Sequence, residues 1–279
     1  ITVVGVEEFR AADALGHMPD HTRVKREIEP AKFGIEKYLG KLVVKASNVK
    51  SVSLVGHTAE AIVDYADEQD ISLIVMATHG RSGIKRWALG SVADKVLRGT
   101  KKPVILIRAK ADHPDVREEG ILKKILMPLD GSTESETVIP YVEQLASKLK
   151  AEVILFQTVE QPYHVVTAAE TFTKIPFNDE EVKPILANIL KYLANMSEAF
   201  GGKGIVTRSE VRIGDAGEEI ITFADEINAD LVAMSTHGRS GVSRWTFGSV
   251  ADKVLRRGNT PLLLVRPHSL VKIPKAESP

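Results

Sequence analysis

"MATHGRSGIKRWALGSVADKVLR" (Met76–Arg98) recurs as "MSTHGRSGVSRWTFGSVADKVLR" (Met234–Arg256), and adding 158 to a residue number in the first copy gives its partner in the second. The relation runs outward from the loop: Gly56 matches Gly214, His79 matches His237, Trp87 matches Trp245, and Arg108 matches Arg266. A period this long marks a duplicated domain, since solenoid repeats span only about 20–50 residues. Just ahead of the loop lie "SLIVMA" (Ser72–Ala77) and "DLVAMS" (Asp230–Ser235), short apolar runs of the kind that a strand buried on both faces shows. Beyond it come a short helical stretch and a strand opened by Pro, "PVILIR" (Pro103–Arg108) or "PLLLVR" (Pro261–Arg266). Upstream, "TAEAIVDYADEQD" (Thr58–Asp70) and "AGEEIITFADEIN" (Ala216–Asn228) set Ile62 with Ala66 and Ile220 with Ala224 at helical spacing. Alternating strands and helices of this kind build a parallel sheet with right-handed crossovers.

The second copy is complete. It opens with the strand "KKILMPLD" (Lys123–Asp130), continues through "GSTESETVIPYVEQLASKLK" (Gly131–Lys150), a helix with a Ser and Thr start, and reaches a second strand in "AEVILFQTV" (Ala151–Val159). The opening "ITVVGVEEF" of the first copy aligns with "ILFQTVEQP", so Gly5 matches Thr158 and the counterpart of roughly Ile121–Val153 is expected upstream of Ile1. The expected fold class is α/β: two tandem Rossmann-like, flavodoxin-like doubly wound parallel sheets, the first copy lacking its first strand and helix in this chain. In that strand order the absent strand is central, so it is expected in the natural protein. The expected domains are residues 1–108 and 123–267, joined by the polar linker 109–122 and followed by a tail, 268–279.

Composition bounds the function. A chain of 279 residues suits two domains, and 43% hydrophobic with 27% charged residues is ordinary for a packed core. Lys plus Arg and Asp plus Glu balance at 37 each, so no net field draws the chain to nucleic acid or anionic lipid, and any anion site is local. There is no Cys, which removes disulfides and thiolate metal sites and fits a reducing, cytoplasmic setting. Apolar runs fall short of the roughly 20 residues of a membrane span, and no basic cluster is interleaved with aromatics. Neither a membrane nor a nucleic acid is therefore expected as partner.

The repeated loop leaves the C-terminal end of a parallel strand, the edge at which open α/β sheets bind ligands. Gly80 and Gly83, like Gly238 and Gly241, permit close backbone approach, and Ser82 and Ser240 add hydroxyl donors. Gly90-Ser91 and Gly248-Ser249 then open a helix whose first amides favour an anion. A structural alternative stands beside this: "SVAD" is a capping-box pattern in which Ser91 or Ser249 caps the helix and Asp94 or Asp252 sits at N3. The Walker-type G-x-x-x-x-G-K-[ST] motif and a G-x-G-x-x-G after a first strand are both missing, which argues against a P-loop or a dinucleotide fold. Asp130 is read either as a ligand acceptor or as an Asx turn at the next helix. His79 and His237 lack a second ligand at metal spacing and are read as hydrogen-bonding the loop or a phosphate. Arg81 and Arg239 are phosphate clamps or solvated loop-tip residues. Trp87 and Trp245, with Leu89 and Phe247, are read as packing the loop onto its domain.

On these motifs the chain resembles a tandem member of the universal stress protein family. Members that bind ATP carry G-x-x-G, nine residues, then G-[ST] after the fourth strand; Gly80 with Gly90-Ser91, and Gly238 with Gly248-Ser249, match, while Ala77 and Ser235 replace the leading Gly. The resemblance also implies that Pro128 and Asp130, after the first strand, meet adenosine and that Thr158 lies where main chain contacts adenine. It thereby implies an adenine-nucleotide site of Pro128, Asp130, Thr158, Ser235, His237, Gly238, Arg239, Ser240, Gly241, Gly248 and Ser249. The loop of the first copy contributes Ala77, His79, Gly80, Arg81, Ser82, Gly83, Gly90 and Ser91. ATP, or AMP or ADP, is the implied ligand, with Mg2+ as the companion ion of ATP. The family pairs its last strands between domains, so the two copies are expected to pair within the chain, "PVILIR" antiparallel to "PLLLVR", with a homodimer as a further assembly. A stress-response module whose nucleotide alters a surface read by partners is weighed ahead of a slow ATP hydrolase, because no repeated carboxylate besides Asp130 stands near the loop to serve as base or Mg2+ ligand. A protein that works through contacts alone, without nucleotide, is the third reading.

Overall fold

The computed structural model describes residues 2–7, 50–78, 89–107, 122–168, 171–238 and 247–267. The chain divides into two units, with the boundary between Lys102 and Pro103 and again before Leu122. In the first unit, β1 (Thr2–Glu7) and β2 (Lys50–Val55) pair in parallel, and α1 (Thr58–Glu68), β3 (Ile74–Ala77) and α2 (Ser91–Gly99) follow. The second unit begins with β4 (Val104–Ile107), the last strand of the first sequence copy. It continues with β5 (Lys124–Pro128), α3 (Thr133–Glu136), α4 (Ile139–Leu149), β6 (Glu152–Val159), the antiparallel hairpin β7 (Tyr163–Ala168) and β8 (Thr171–Pro176), and α5 (Asp179–Gly201). The remaining elements are β9 (Thr207–Ile213), α6 (Ala216–Glu226), β10 (Leu231–Ser235), α7 (Ser249–Arg257) and β11 (Leu262–Val265).

The strand order in the second unit is β4-β11-β10-β5-β6-β9. All neighbours are parallel except β4, which runs antiparallel to β11 with Leu106 opposite Leu262 and Val104 opposite Leu264. From β5 the chain winds outward through β6 to β9, then returns to the other side of β5 for β10 and β11. The order thus reverses between β5 and β10, and the crevice at their C-terminal ends is where an open sheet accepts ligands. This is the doubly wound architecture expected from the repeat.

The strands are apolar because both faces are covered. Ile125–Met127 and Val153–Phe156 are fully buried, as are Leu193 and Phe200 of α5. Phe156 stacks on Phe223 of α6 at 5.0 Å between centroids, and the Arg212 guanidinium lies 4.4 Å from the Phe223 centroid. Arg212 also pairs with Glu226, which raises its pKa above the ordinary arginine value and lowers that of Glu226.

Helix α6 starts at Asp215, whose side chain accepts from the Glu218 amide at 3.0 Å and from Lys253 Nζ of α7 at 2.9 Å. The hydrogen bond from Lys253, then that from Glu218, holds the Asp215 carboxyl below its ordinary range. Its contribution is therefore present above the unfolded carboxylate pKa and is lost as pH falls through the lower folded value. Asp215→Ala is expected to cost about 1 kcal/mol, the usual worth of an N-cap. The half-exposed ion pair adds little to that. In urea titrations the difference from wild type should be present at neutral pH and shrink in acid; a pH-independent difference would remove the carboxylate's role. The matching position of α1 is His57, which makes no side-chain cap.

Three features correct or extend the sequence reading. The ladders place Val6 opposite Leu54 and Thr158 opposite Arg212. Because Leu54 matches Arg212 in the repeat, Val6 and not Gly5 is the structural partner of Thr158, a one-residue slip that exchanges the faces of the strand. Helices α2 and α7 are N-capped by Gly90 and Gly248 with no side-chain hydrogen bond, so Ser91 and Ser249 are not caps. Asp94 and Asp252 bond instead to Arg98 and Arg256, one turn on, at 2.8 Å each. Finally, the sequence reading contained neither the β7–β8 hairpin nor the long helix α5.

Candidate functional site

The C-terminal ends of β5, β6 and β10 carry the residues singled out from sequence. Pro128 closes β5, with Asp130 two residues beyond. Thr158 is the penultimate residue of β6, Ser235 closes β10, and His237 and Gly238 follow it. Gly248 caps α7 and Ser249 is its first residue; Ala77, Gly90 and Ser91 take the corresponding places in the first unit. His79, Gly80, Arg81, Ser82, Gly83, Arg239, Ser240, Gly241, Trp87 and Trp245 lie outside the described residues.

Asp130 is oriented from one side by the turn into α3. Its Oδ1 accepts from the Ser132 amide at 2.9 Å and the Ser132 hydroxyl at 2.6 Å, while the Ser132 Oγ accepts from the Ser135 amide at 3.1 Å. The Asx turn weighed in the sequence is thus present. On the other side Gly238 closes against the same carboxylate: a Cβ there would overlap Asp130 Oδ2 and stand 3.3 Å from Cγ. The turn after β5 and the loop after β10 therefore meet through a glycine that no larger residue replaces without moving the acid.

The loop after β10 is closed at its base. The Gly248 amide donates to the Thr236 carbonyl at 2.9 Å, and in the first unit the Gly90 amide donates to Thr78 at 2.8 Å. This occupies the Gly248 N–H and ties the start of α7 to the end of β10. A Cβ on Gly248 would stand 3.3 Å from the Thr236 oxygen. The first helical bond of α7 runs from Asp252 N–H to Gly248 O, which leaves the amides of Ser249, Val250 and Ala251 outside the helical ladder at the positive end of the helix.

His237 is buried at 8% exposure, with Nδ1 2.9 Å from Thr236 Oγ1 and its amide donating to Ser235 Oγ at 3.3 Å. The sequence reading overlooked Thr236, although its counterpart Thr78 occupies the same place in the repeat; its signal was a polar residue kept twice directly after an apolar strand. Among the described residues no group of three or more His, Cys, Asp or Glu is placed to hold a metal ion, and no helix is long and apolar enough to cross a membrane.

The model of the universal stress protein family matches residues 2–108 and again 122–266. The chain belongs to that family. Among relatives, universal stress protein MJ0531 of Methanocaldococcus jannaschii is 32% identical over 148 residues, covering 53% of this chain and 84% of the relative. Universal stress protein Slr1230 of Synechocystis is 22% identical over 250 residues, covering 88% of this chain and 76% of the relative. A crystal structure of a universal stress protein from Archaeoglobus fulgidus superposes with a TM-score of 0.59 at 20% identity, over 95% of this chain and 86% of that one. That likeness establishes the fold alone.

Proposed function

We infer that the second unit binds an adenine nucleotide, ATP or its AMP and ADP relatives, and that the protein acts as a nucleotide-dependent regulatory or interaction module in a stress response. The observation that carries this reading is the apposition of Asp130 and Gly238 at the switch point of the sheet. Asp130, held by Ser132, is the acceptor for ribose hydroxyls or the base amine. The main chain at Thr158 flanks the base, and the amides opening α7 face the phosphates. The donor set fits such a ligand: an oriented carboxylate for hydroxyl or amine donors, and a helix start for an anion. The G-x-x-G, nine residues, G-[ST] pattern of the ATP-binding members supports the same assignment. Pairing of the two copies within one chain, with a homodimer as a further assembly, goes with this reading.

Nucleotide analysis of ligand released by heating the purified protein, followed by calorimetric titration with ATP, tests the proposal directly. Nucleotide bound at the second unit is expected, and it should be lost in Asp130→Ala; binding undiminished by that substitution would show that Asp130 is dispensable, and no binding would overturn the reading.

A further inference from the structure

Strands β7 and β8 form a sheet of their own, each pairing with the other alone among the described residues. A lone two-stranded hairpin is marginal in water. This one is held at its base, where His164 bonds Glu181 at 2.6 Å and stacks on Phe177, yet Tyr163, Val165 and Ile175 remain 44%, 56% and 48% exposed. The ladder shows which way each strand is open. The Phe177 amide donates to the Pro162 carbonyl at 3.0 Å, which makes Pro162–Phe177 a hydrogen-bonded pair. Such pairs alternate with non-bonded pairs along an antiparallel ladder. Tyr163–Pro176 and Val165–Lys174 are therefore non-bonded pairs, and Val165 turns its N–H and C=O away from β8. Pro176 takes the matching outward place on β8, where its missing N–H costs the hairpin nothing and interrupts the edge. The two edges are thus unequal. Strand β8 carries Lys174 and Pro176, residue types with which natural sheets blunt an edge, whereas β7, "YHVVTA", carries no Lys, no acid and no Pro.

We propose that the β7 edge is a dimerisation surface: two copies of the chain pair β7 with β7, antiparallel about a two-fold axis at Val165, and join their hairpins into one sheet. This surface is independent of the nucleotide reading and gives the homodimer its interface. A second copy is the occupant because the edge complements itself. With the axis at Val165, its amide donates to the carbonyl of the partner's Val165 and its carbonyl accepts in return, while the two exposed valine side chains come side by side. Charge allows the match, since the one basic residue of β7, His164, is already paired with Glu181, and no like charges oppose each other along the seam. The joined sheet passes the three strands that independent stability requires. A closed two-fold contact also consumes the edge, where an open-ended one propagates into fibres.

Sedimentation velocity on the full chain, run without nucleotide so that its outcome is separate from that of the ATP titration, tests the surface. Wild type is expected to dimerise with a Kd of about 1 μM or weaker, as suits a small contact. Val165→Pro removes an N–H that the hairpin does not use, and should weaken the dimer about 10-fold or more through the loss of two cross-axis hydrogen bonds. Val165→Thr keeps the N–H and the branched shape, and should dimerise as wild type does. The chain has no Cys, so Val165→Cys supplies a single thiol, which the axis sets about 5.5 Å from its copy between Cα atoms, within disulfide reach. Oxidation should link that variant into a dimer and leave Ile175→Cys, on the other strand, unlinked; this readout stands even if Pro disturbs the hairpin. A wild type that stays monomeric at every attainable concentration would overturn the proposal and leave the β7 edge to an extended segment of another protein. A dimer unmoved by Val165→Pro, or one that Val165→Cys fails to link, would overturn it as well.

Discussion

Asp130→Asn is expected to weaken ATP binding about 10- to 100-fold while the protein stays folded. The substitution preserves an oxygen for the Ser132 amide and hydroxyl, so the turn into α3 survives, and it removes the charge that strengthens a bond to ribose or amine donors. A hydrogen bond to a charged group is worth about 1.5–3 kcal/mol, which sets that range. Gly238→Ala should cost a similar amount by a different route, because its methyl group occupies space that Asp130 Oδ2 now fills and the carboxylate must leave its oriented position. The two changes act on one object. In an Asp130→Ala background the alanine at position 238 meets only a methyl group, so the second substitution should add less than about 0.5 kcal/mol, and the cycle should show coupling of about 1–2 kcal/mol. Strictly additive losses would mean that Gly238 serves the loop alone and that its apposition to Asp130 is incidental.

The repeat made the doubly wound fold readable because buried parallel strands must be apolar on both faces. "DLVAMS", "PLLLVR" and "KKILMPLD" contain β10, β11 and β5. What the letters withheld was governed by contacts distant in sequence. The Ser of "SVAD" satisfies a capping pattern, yet the chain must swing back so that the Gly248 amide reaches the Thr236 carbonyl, and this moves the cap one residue upstream to glycine. Aligning "ITVVGVEEF" by identity set Gly5 on Thr158, whereas pairing with β2 sets Val6 there, since register answers to the neighbouring strand. The start of α5 was legible in principle: Asn178 and Glu181 form a reciprocal capping box, with the two bonds at 3.1 and 2.9 Å. His164 of the hairpin joins that box, bonding Glu181 at 2.6 Å and stacking on Phe177 at 4.5 Å, a tie no local pattern announces. For the site, Asp130 and the glycines were legible as types at spacings. Their apposition was not, because it depends on β5 and β10 being neighbours.

Leu106→Asp, a change in the first sequence copy, is expected to destabilise the second structural unit by about 3–5 kcal/mol, the cost of an uncompensated buried charge. Leu106 is 2% exposed and lies opposite Leu262 in the ladder that β4 makes with β11. The boundary between Lys102 and Pro103 places β4 in that compact unit, although the repeat assigns it to the first. The arrangement has a physical cause. Strand β11 is apolar and buried along its whole length, and an apolar edge left open is a template for aggregation, so the sheet takes one more strand there. Global stabilities of about 5–15 kcal/mol leave little margin for such a loss. The variant should unfold at markedly lower urea concentration and expose the β11 edge, with self-association following. Leu106→Met, which conserves volume, should cost less than about 1.5 kcal/mol and separates burial of charge from repacking. Hydrogen exchange gives the decisive reading: amides of β11 and β10 should lose protection in Leu106→Asp ahead of those of β6 and β9, which lie at the far side of the same sheet. A variant with the wild-type urea midpoint and undiminished protection at β11 would show that β4 is not needed to hold this edge.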